Sequence, residues 1–362
     1  MHFGVVAETS PLEHRVPLSP YGVEELTARG HTVTVERGAG VRAHFTDQDY
    51  QRCGAKIAFS TDEAWIRPDV LLRFRPPSVP ETERMHEGQV FASYVELPFI
   101  PRQTLQAYSA AKISLLAFEE VMDERGRWPL LAPLSIICGR LIPQIAARYL
   151  ETYEGGRGKL IMGAPGVAPC NVAIIGAGLV GSTAAQMLQM LGARVTVLDH
   201  DHAHLERLER TRQGHLATLS AGPGNVSRVC IGSDVLVLAI HSASGVCDKV
   251  IKAEHLRTMQ ARSLIIDVSI TQGGAAETSR PTDVLNPTFI VDNIVHYCVT
   301  RIAALVSRTA SRAVSSALAP YLLRLAEHTV EQAIAAHREF DTGLVCVNGK
   351  MRRKYDYLEG RE

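Results

Sequence analysis

The chain has 362 residues, 46% of them hydrophobic and 21% charged, which is enough for two domains with cores of their own. Lys and Arg together number 38, as do Asp and Glu, so no global field draws the chain to nucleic acid or to an anionic membrane. The seven cysteines, at 53, 138, 170, 230, 247, 298 and 346, form no C-x-x-C pair, a usage that suits reduced thiols in a cytoplasmic protein.

The opening "MHFGVVAETS" is too short and too soon acidic for a signal peptide. Over the first 120 residues, "FGVVAE", "HTVTVER", "DVLLRF", "QVFASYV" and "ISLLAFEEV" read as strands. Between them "SPYGVEELTARG" is punctuated as a helix, with Ser19 at the N-cap, Pro20 at the first position and Gly30 past the end; "TDQDYQRCGA" repeats the device with Thr46 and Gly54. Such alternation implies a mostly parallel sheet covered on both faces. One stretch is awkward. Residues 69–75, "DVLLRFR", read as a buried strand that carries Arg73 and Arg75 two positions apart, hence on one face.

The apolar run "LLAPLSIICGRLIPQI" contains Pro133, Gly139, Arg140 and Pro143 and does not read as a membrane span. A long helix is expected from 132–135 to about 151, then a Gly/Pro-rich loop, "EGGRGKLIMGAPGVAP". The alternation restarts with "NVAIIGAG", "RVTVLDHD", "DVLVLAIH", "SLIIDVSI" and "PTFIVDN". Residues 307–336 are helical in pattern, with Pro320 as the expected break.

Gly176, Gly178 and Gly181 form G-x-G-x-x-G directly after an apolar strand and before a helix that opens with Leu179 and Val180. Glycines so placed permit a tight turn, close approach of a pyrophosphate and close helix–strand packing. Asp199 ends the next strand 18 positions after Gly181, where a carboxylate can bond both ribose hydroxyls. It would repel a 2′-phosphate, and His200 rather than Arg follows, so NAD is expected over NADP. In "DHDHAHLERLER" the H-x-H-x-H string lacks a second ligand cluster, and the stretch is read as a solvated loop entering a helix, with no metal.

In parallel sheets ligands bind beyond the carboxyl ends of the strands. Several polar residues stand there: Arg75 after "VLLRF", Glu96 after "FASYV", His241 two positions after Ala239 in "VLVLAIH", and Thr271 after "IIDVSI", with Arg15 and Arg301 as further candidates. Arg75 suits a carboxylate clamp, because a guanidinium binds a carboxylate bidentately, while Arg73 is expected to pair with a neighbouring carboxylate.

With these residues in view, the chain resembles the alanine dehydrogenase family, which is related to the NAD-binding subunit of proton-translocating transhydrogenase. The likeness runs through "HRVPLSPYGVEELTARGHTVTVERGAG", "PLLAPLSIICGRL", "GGRGKLIMGAPGVAP", "VAIIGAGLVG", "DVSITQGGAAETSRPT" and "IVDNIVHYCV". It implies an α/β fold of two doubly wound Rossmann-like domains with a cleft between them. Residues 1–131 plus 307–362 would form the substrate domain and 132–306 the NAD-binding domain, bridged by the helices around 135–151 and 307–319. It also implies a homo-oligomer and reversible, NAD-dependent oxidative deamination of L-alanine. Arg15 would bind the substrate carboxylate, Ser135 the cofactor phosphates and Asp199 the adenosine ribose, and Val268 would line the nicotinamide site.

Four positions depart from the family pattern. Arg75 stands where the family has its substrate-polarising lysine, and Glu96, in "YVEL", where it has its catalytic histidine. Thr271 stands for an aspartate and Arg301 for an asparagine. An arginine can orient a carboxylate but exchanges no proton near neutral pH. A glutamate can, if burial raises its pKa. The expectation is therefore an NAD-dependent oxidoreductase acting on the C–N bond of an amino or imino acid other than alanine, with Arg15, Arg75, Glu96, Thr271 and Arg301 at the chemistry. The alternatives are an oxidoreductase of 2-oxo or 2-hydroxy acids and a catalytically silent NAD-binding metabolite sensor.

Overall fold

The computed structural model describes residues 1–210, 216–242, 245–353 and 355. It divides into two compact units, Met1–Leu134 with Val306–Glu362, and Ser135–Leu305.

Among the described residues, the first unit is built on an eight-stranded sheet. Its order is Lys350–Met351, Leu344–Val347, Ser114–Ala117, Val90–Ser93, Val70–Leu72, His2–Val5, Thr32–Glu36 and Lys56–Ala58. The six strands from the first part of the chain are parallel; the two C-terminal ones add on antiparallel. Every residue of Val70–Leu72, Val90–Ser93 and Ser114–Ala117 is buried, as strands covered on both faces must be. Their carboxyl ends point to one edge of the sheet, where Glu8, Arg75, Glu96 and Glu119 follow them in sequence.

The strand at Val70 stops at Leu72, so Arg73 and Arg75 lie in the turn beyond it rather than on one face of the pleat. The local cause is visible. Arg73 folds back on its own chain, donating to the carbonyls of Arg75 at 3.0 Å and Pro76 at 2.9 Å, and Pro76 and Pro77 have no N–H to extend a ladder. Lys56–Ala58, Leu216–Ser220 and Ile294–Tyr297 are strands the pattern did not single out.

Of two helix expectations, the N-cap position of Ser19 holds and the break at Pro320 is corrected. Ser19 precedes the helix Pro20–Thr27 but its side chain caps nothing; its hydroxyl and its amide both go to Ser315 Oγ, at 3.1 and 3.0 Å. A Cβ on Gly22 would stand 2.2 Å from the same Ser315 Oγ, which is why glycine occupies that helical position. The helix Ser307–Ala326 runs through Pro320 without breaking and ends instead before Thr329, which caps Val330–Ala336. Leu318, Ala319, Leu322 and Leu323 are buried around the proline, and this packing offsets the one missing hydrogen bond.

The second unit carries a seven-stranded sheet among the described residues. Its order is Thr288–Val291, Ile294–Tyr297, Leu264–Asp267, Val235–Leu238, Asn171–Ile175, Arg194–Asp199 and Leu216–Ser220. It is parallel except for the Thr288–Val291 edge. The helix Ala132–Tyr149 packs closely on the helix Leu179–Met190: a Cβ on Gly139 would meet Val180 O and Thr183 Cβ at 2.7 Å. No helix among the described residues is long and apolar enough to cross a membrane.

Candidate active site and nucleotide-binding turn

In the second unit, Gly176 follows the strand Asn171–Ile175 with φ +104°, where an L side chain is strained. A Cβ there would stand 2.3 Å from Ala239 O, so Gly176 and Ala239 abut at the ends of neighbouring strands. On Gly181 a Cβ would stand 1.8 Å from Gly176 O; this glycine lets the helix start against the strand. Gly178 differs. A Cβ on it would meet nothing within 4 Å, so the protein's own packing does not demand glycine, and the open space above the turn suits a phosphate group. Leu179 and Val180 begin the helix that follows, whose start has no side-chain cap. Ser135 lies one turn before Gly139 on the same face of its helix, the face packed on Val180.

Asp199 ends its strand 6% exposed and is held by backbone amides, Ala177 N at 2.5 Å and Asp201 N at 2.8 Å. Desolvation pushes its pKa up, but these bonds and the imidazole of His204 outweigh it and hold the carboxyl below its usual value. It therefore stays an acceptor. His204 Nδ1 lies 3.4 Å from it on the helix His202–Arg210.

The loops after Val235–Leu238 and Leu264–Asp267 are tied together by two side chains that the sequence reading passed over. Ser269 Oγ accepts from Ile240 N and lies 2.9 Å from both the nitrogen and the oxygen of that residue. Gln272 accepts from Ser242 N at 2.9 Å and donates to Ser242 O at 3.0 Å. These bonds bring Ala239 and His241 beside the 3-10 turn Val268–Gln272, which carries Val268 and an exposed Thr271. Burial lowers the pKa of the His241 imidazole even though the residue keeps an exposed rim. Arg301 lies just before the 3-10 turn Ile302–Val306 of this unit's sequence, half-buried.

In the first unit, two arginines are neutralised within the fold. Arg15 gives Nε and Nη2 to Glu13 at 2.7 and 2.6 Å, with both residues buried, and its guanidinium lies 4.2 Å from the Phe74 ring centroid. That edge of Arg15 is thus taken by Glu13 rather than open to a substrate carboxylate. Arg73, 1% exposed, gives Nη1 and Nη2 to Glu81 at 2.7 and 2.9 Å and stacks against Trp65 and Phe91. It pairs with a carboxylate, as expected. Arg75 is the exception: half-buried, its guanidinium makes no hydrogen bond or ion pair among the described residues.

Two glutamates missed by the sequence reading hold the backbone here. Glu8 Oε1 accepts from Phe74 N at 2.6 Å and Arg75 N at 3.2 Å, while its enclosed Oε2 has no partner among the described residues. Glu119 Oε1 accepts from Glu96 N at 2.6 Å and Val95 N at 2.9 Å. Desolvation raises both carboxyls to about 7. Glu96 itself is left-handed, φ 56° and ψ 51°, a conformation that costs a non-glycine residue roughly 1–2 kcal/mol. Beyond the strands the chains stay paired, Tyr94 N donating to Phe74 O at 3.1 Å, so Arg75 and Glu96 leave neighbouring strand ends. The signal that could have found Glu8 and Glu119 was the one that found Glu96: a carboxylate directly after a buried strand.

Two family models match the chain. The family "Alanine dehydrogenase/PNT, N-terminal domain" matches residues 4–138 and "Alanine dehydrogenase/PNT, C-terminal domain" residues 143–354. The chain belongs to the alanine dehydrogenase/PNT family. It is 36% identical to an alanine dehydrogenase of Halomonas elongata over 351 residues, 97% of this chain and 94% of that protein. A solved L-alanine dehydrogenase superposes with a TM-score of 0.94 at 32% identity, covering 99% of both chains. The transhydrogenase from Sinorhizobium meliloti, at 21% identity and a TM-score of 0.81 over 97% of this chain and 98% of that one, shares the fold. The two-domain α/β Rossmann-like architecture is thus that of the family.

Proposed function

We propose that the protein is an NAD-dependent oxidoreductase acting on the C–N bond of an amino or imino acid other than alanine, working as a homo-oligomer on a small-molecule substrate. Family membership supports the amino-acid oxidoreductase part. The finer part rests on one observation: Arg75, with no side-chain partner among the described residues, and Glu96 leave adjacent strand ends in the place of the lysine and histidine expected by resemblance.

The residues of the second unit fit NAD. The open space at Gly178 and the helix start at Leu179 and Val180 would take the phosphates together with Ser135, and Asp199 the adenosine ribose. Ala239, His241 and Val268 would line the nicotinamide end. When bound, NAD supplies the acceptor or donor of hydride.

The chain's own groups then divide the remaining work. Arg15 and Arg73 are already paired with glutamates, so Arg75 would be the cation of this strand end that meets a substrate carboxylate. It orients and neutralises but moves no proton. Glu96 would hold the substrate nitrogen and exchange its proton, favouring an amine or iminium over a second carboxylate. Thr271 would offer a hydroxyl, which bonds a substrate without fixing an ammonium by charge. Arg301 would add a cation for a larger substrate. A preformed imine suits this set, because its reduction needs less proton traffic than addition of ammonia.

Glu96→Gln tests the assignment. It should abolish turnover, measured as NADH oxidation with cyclic imino acids and with 2-oxo acids plus amines, and leave NADH binding unchanged. Turnover equal to that of the unmodified protein removes Glu96 from the mechanism.

A further inference from the structure

We infer that Glu119 is the positioning residue of Glu96, holding by its carboxylate the left-handed turn that aims the Glu96 side chain. The inference rests on the reading of Glu96 as the proton-transfer group.

The geometry begins in the sheet. Val90–Ser93 and Ser114–Ala117 are parallel neighbours with Ser93 opposite Ala117, so the segments that leave them emerge side by side. After Ala117 the chain turns at once into the 3-10 segment Phe118–Glu120, which brings Glu119 back toward its neighbour. There its carboxylate meets two amides of the other segment: Oε1 lies 2.6 Å from Glu96 N and 2.9 Å from Val95 N, and Oε2 3.1 Å from Val95 N. Two converging N–H groups thus share one carboxyl group, whose oxygens can accept from both with or without its proton.

The Glu96 turn needs such a hold. Glu96 has φ 56° and no glycine flexibility, and the chain continues directly into the 3-10 turn Leu97–Phe99, with Phe99 N bonded to Glu96 O at 2.8 Å. In the left-handed region the Cα–Cβ vector points away from where an extended residue would send it. Removal of the Glu119 acceptor takes this bond from both amides and lets Glu96 relax toward the extended region, so the carboxylate that exchanges the substrate proton leaves its position. Other glutamates of this edge have other duties: Glu8 holds Phe74 N and Arg75 N, and Glu13 holds Arg15.

The experiment uses the full-length protein and two readouts. Hydrogen exchange of the Glu96 amide needs no substrate: it should be at least tenfold faster in Glu119→Ala, near the unmodified rate in Glu119→Gln, which keeps an acceptor oxygen, and unchanged in the helix Ala132–Tyr149. Unaltered exchange at Glu96 overturns the inference. The second readout is NADH oxidation by a five-membered cyclic imino acid. Glu119→Ala should lower kcat at least tenfold with KM within twofold, while Glu119→Gln, which keeps an acceptor oxygen, should stay within about twofold of the unmodified kcat. A loss in Glu119→Gln equal to that in Glu119→Ala overturns the inference, because the bonds accepted from the two amides then do not carry the effect. Full turnover in Glu96→Gln overturns the reading of Glu96, and is told apart from failure of the present inference, in which Glu96→Gln is inactive and Glu119→Ala is not. If the alanine variant does not fold, Glu119→Asp, which keeps the charge on a shorter arm, should give the same two losses.

Discussion

Arg73 binds Glu81 through both terminal guanidinium nitrogens, at 2.7 and 2.9 Å, while Arg75, two residues on, binds no side chain among the described residues. One strand end thus carries one arginine bound into the fold and one with no side-chain partner among the described residues. Arg73→Ala should destabilise the protein by about 3–5 kcal/mol, since it strands Glu81 without its partner. Arg75→Ala should change stability by no more than about 0.5 kcal/mol while lowering turnover. Urea unfolding of the two variants, with NADH oxidation alongside, checks the division.

The same pair sets an acid limit. Desolvation alone would raise Glu81, but the hydrogen bond and charge of Arg73 outweigh it and hold the carboxyl at about 2 against an ordinary 4.5. A depressed carboxyl contributes stability that is complete above its unfolded pKa and is lost as pH falls through the folded one. Glu81 should therefore contribute about 3 kcal/mol above pH 4.5, disappearing toward pH 2. In Glu81→Gln this part of the acid unfolding profile should flatten.

Glu8 and Glu119 act in the opposite sense. Burial raises both from 4.5 to about 7, so the folded state favours their protons. Their contribution is full below the unfolded pKa and is lost as pH rises through about 7. Stability should fall between pH 5 and pH 8 by on the order of 3 kcal/mol for each group. Glu8→Gln should remove its share of that slope; a variant that keeps the unmodified slope contradicts the assignment.

The three glycines of the nucleotide turn should separate under substitution. Gly176→Ala meets Ala239 O at 2.3 Å and should destabilise by at least about 2 kcal/mol. Gly178→Ala meets nothing within 4 Å and should leave stability within about 0.5 kcal/mol. Its added methyl enters the space assigned to the phosphates, so NADH affinity should fall at least about tenfold, or about 1.4 kcal/mol. Fluorescence titration with NADH and thermal unfolding of both variants distinguish a phosphate-binding glycine from a packing glycine.

How much of this was legible in the sequence follows the range of the interactions. The strands and the G-x-G-x-x-G turn were readable because apolar runs and glycine spacing are local signals, and Asp199 because its place depends only on the strand it ends. The end of the strand at Leu72 was not, since "DVLLRF" continues the apolar pattern while the backbone already bends around the Arg73 side chain. The places of Glu8 and Glu119 after buried strands were legible, but their roles were not, for another reason. Their partners are backbone amides 66 and 23 residues away, and an amide leaves no mark in a sequence. Pro320 misled because helix propensity was weighed without the buried leucines that keep the helix continuous.

The most direct test of the central claim is NADH oxidation with 2-oxo acids and cyclic imino acids, each offered with ammonia, with ornithine or lysine, and without amine. The account predicts turnover of an imine or of an oxo acid with a larger amine, and little or none with pyruvate plus ammonia. Efficient turnover of pyruvate plus ammonia would contradict it, and would mean that Arg75 and Glu96 perform the alanine reaction itself.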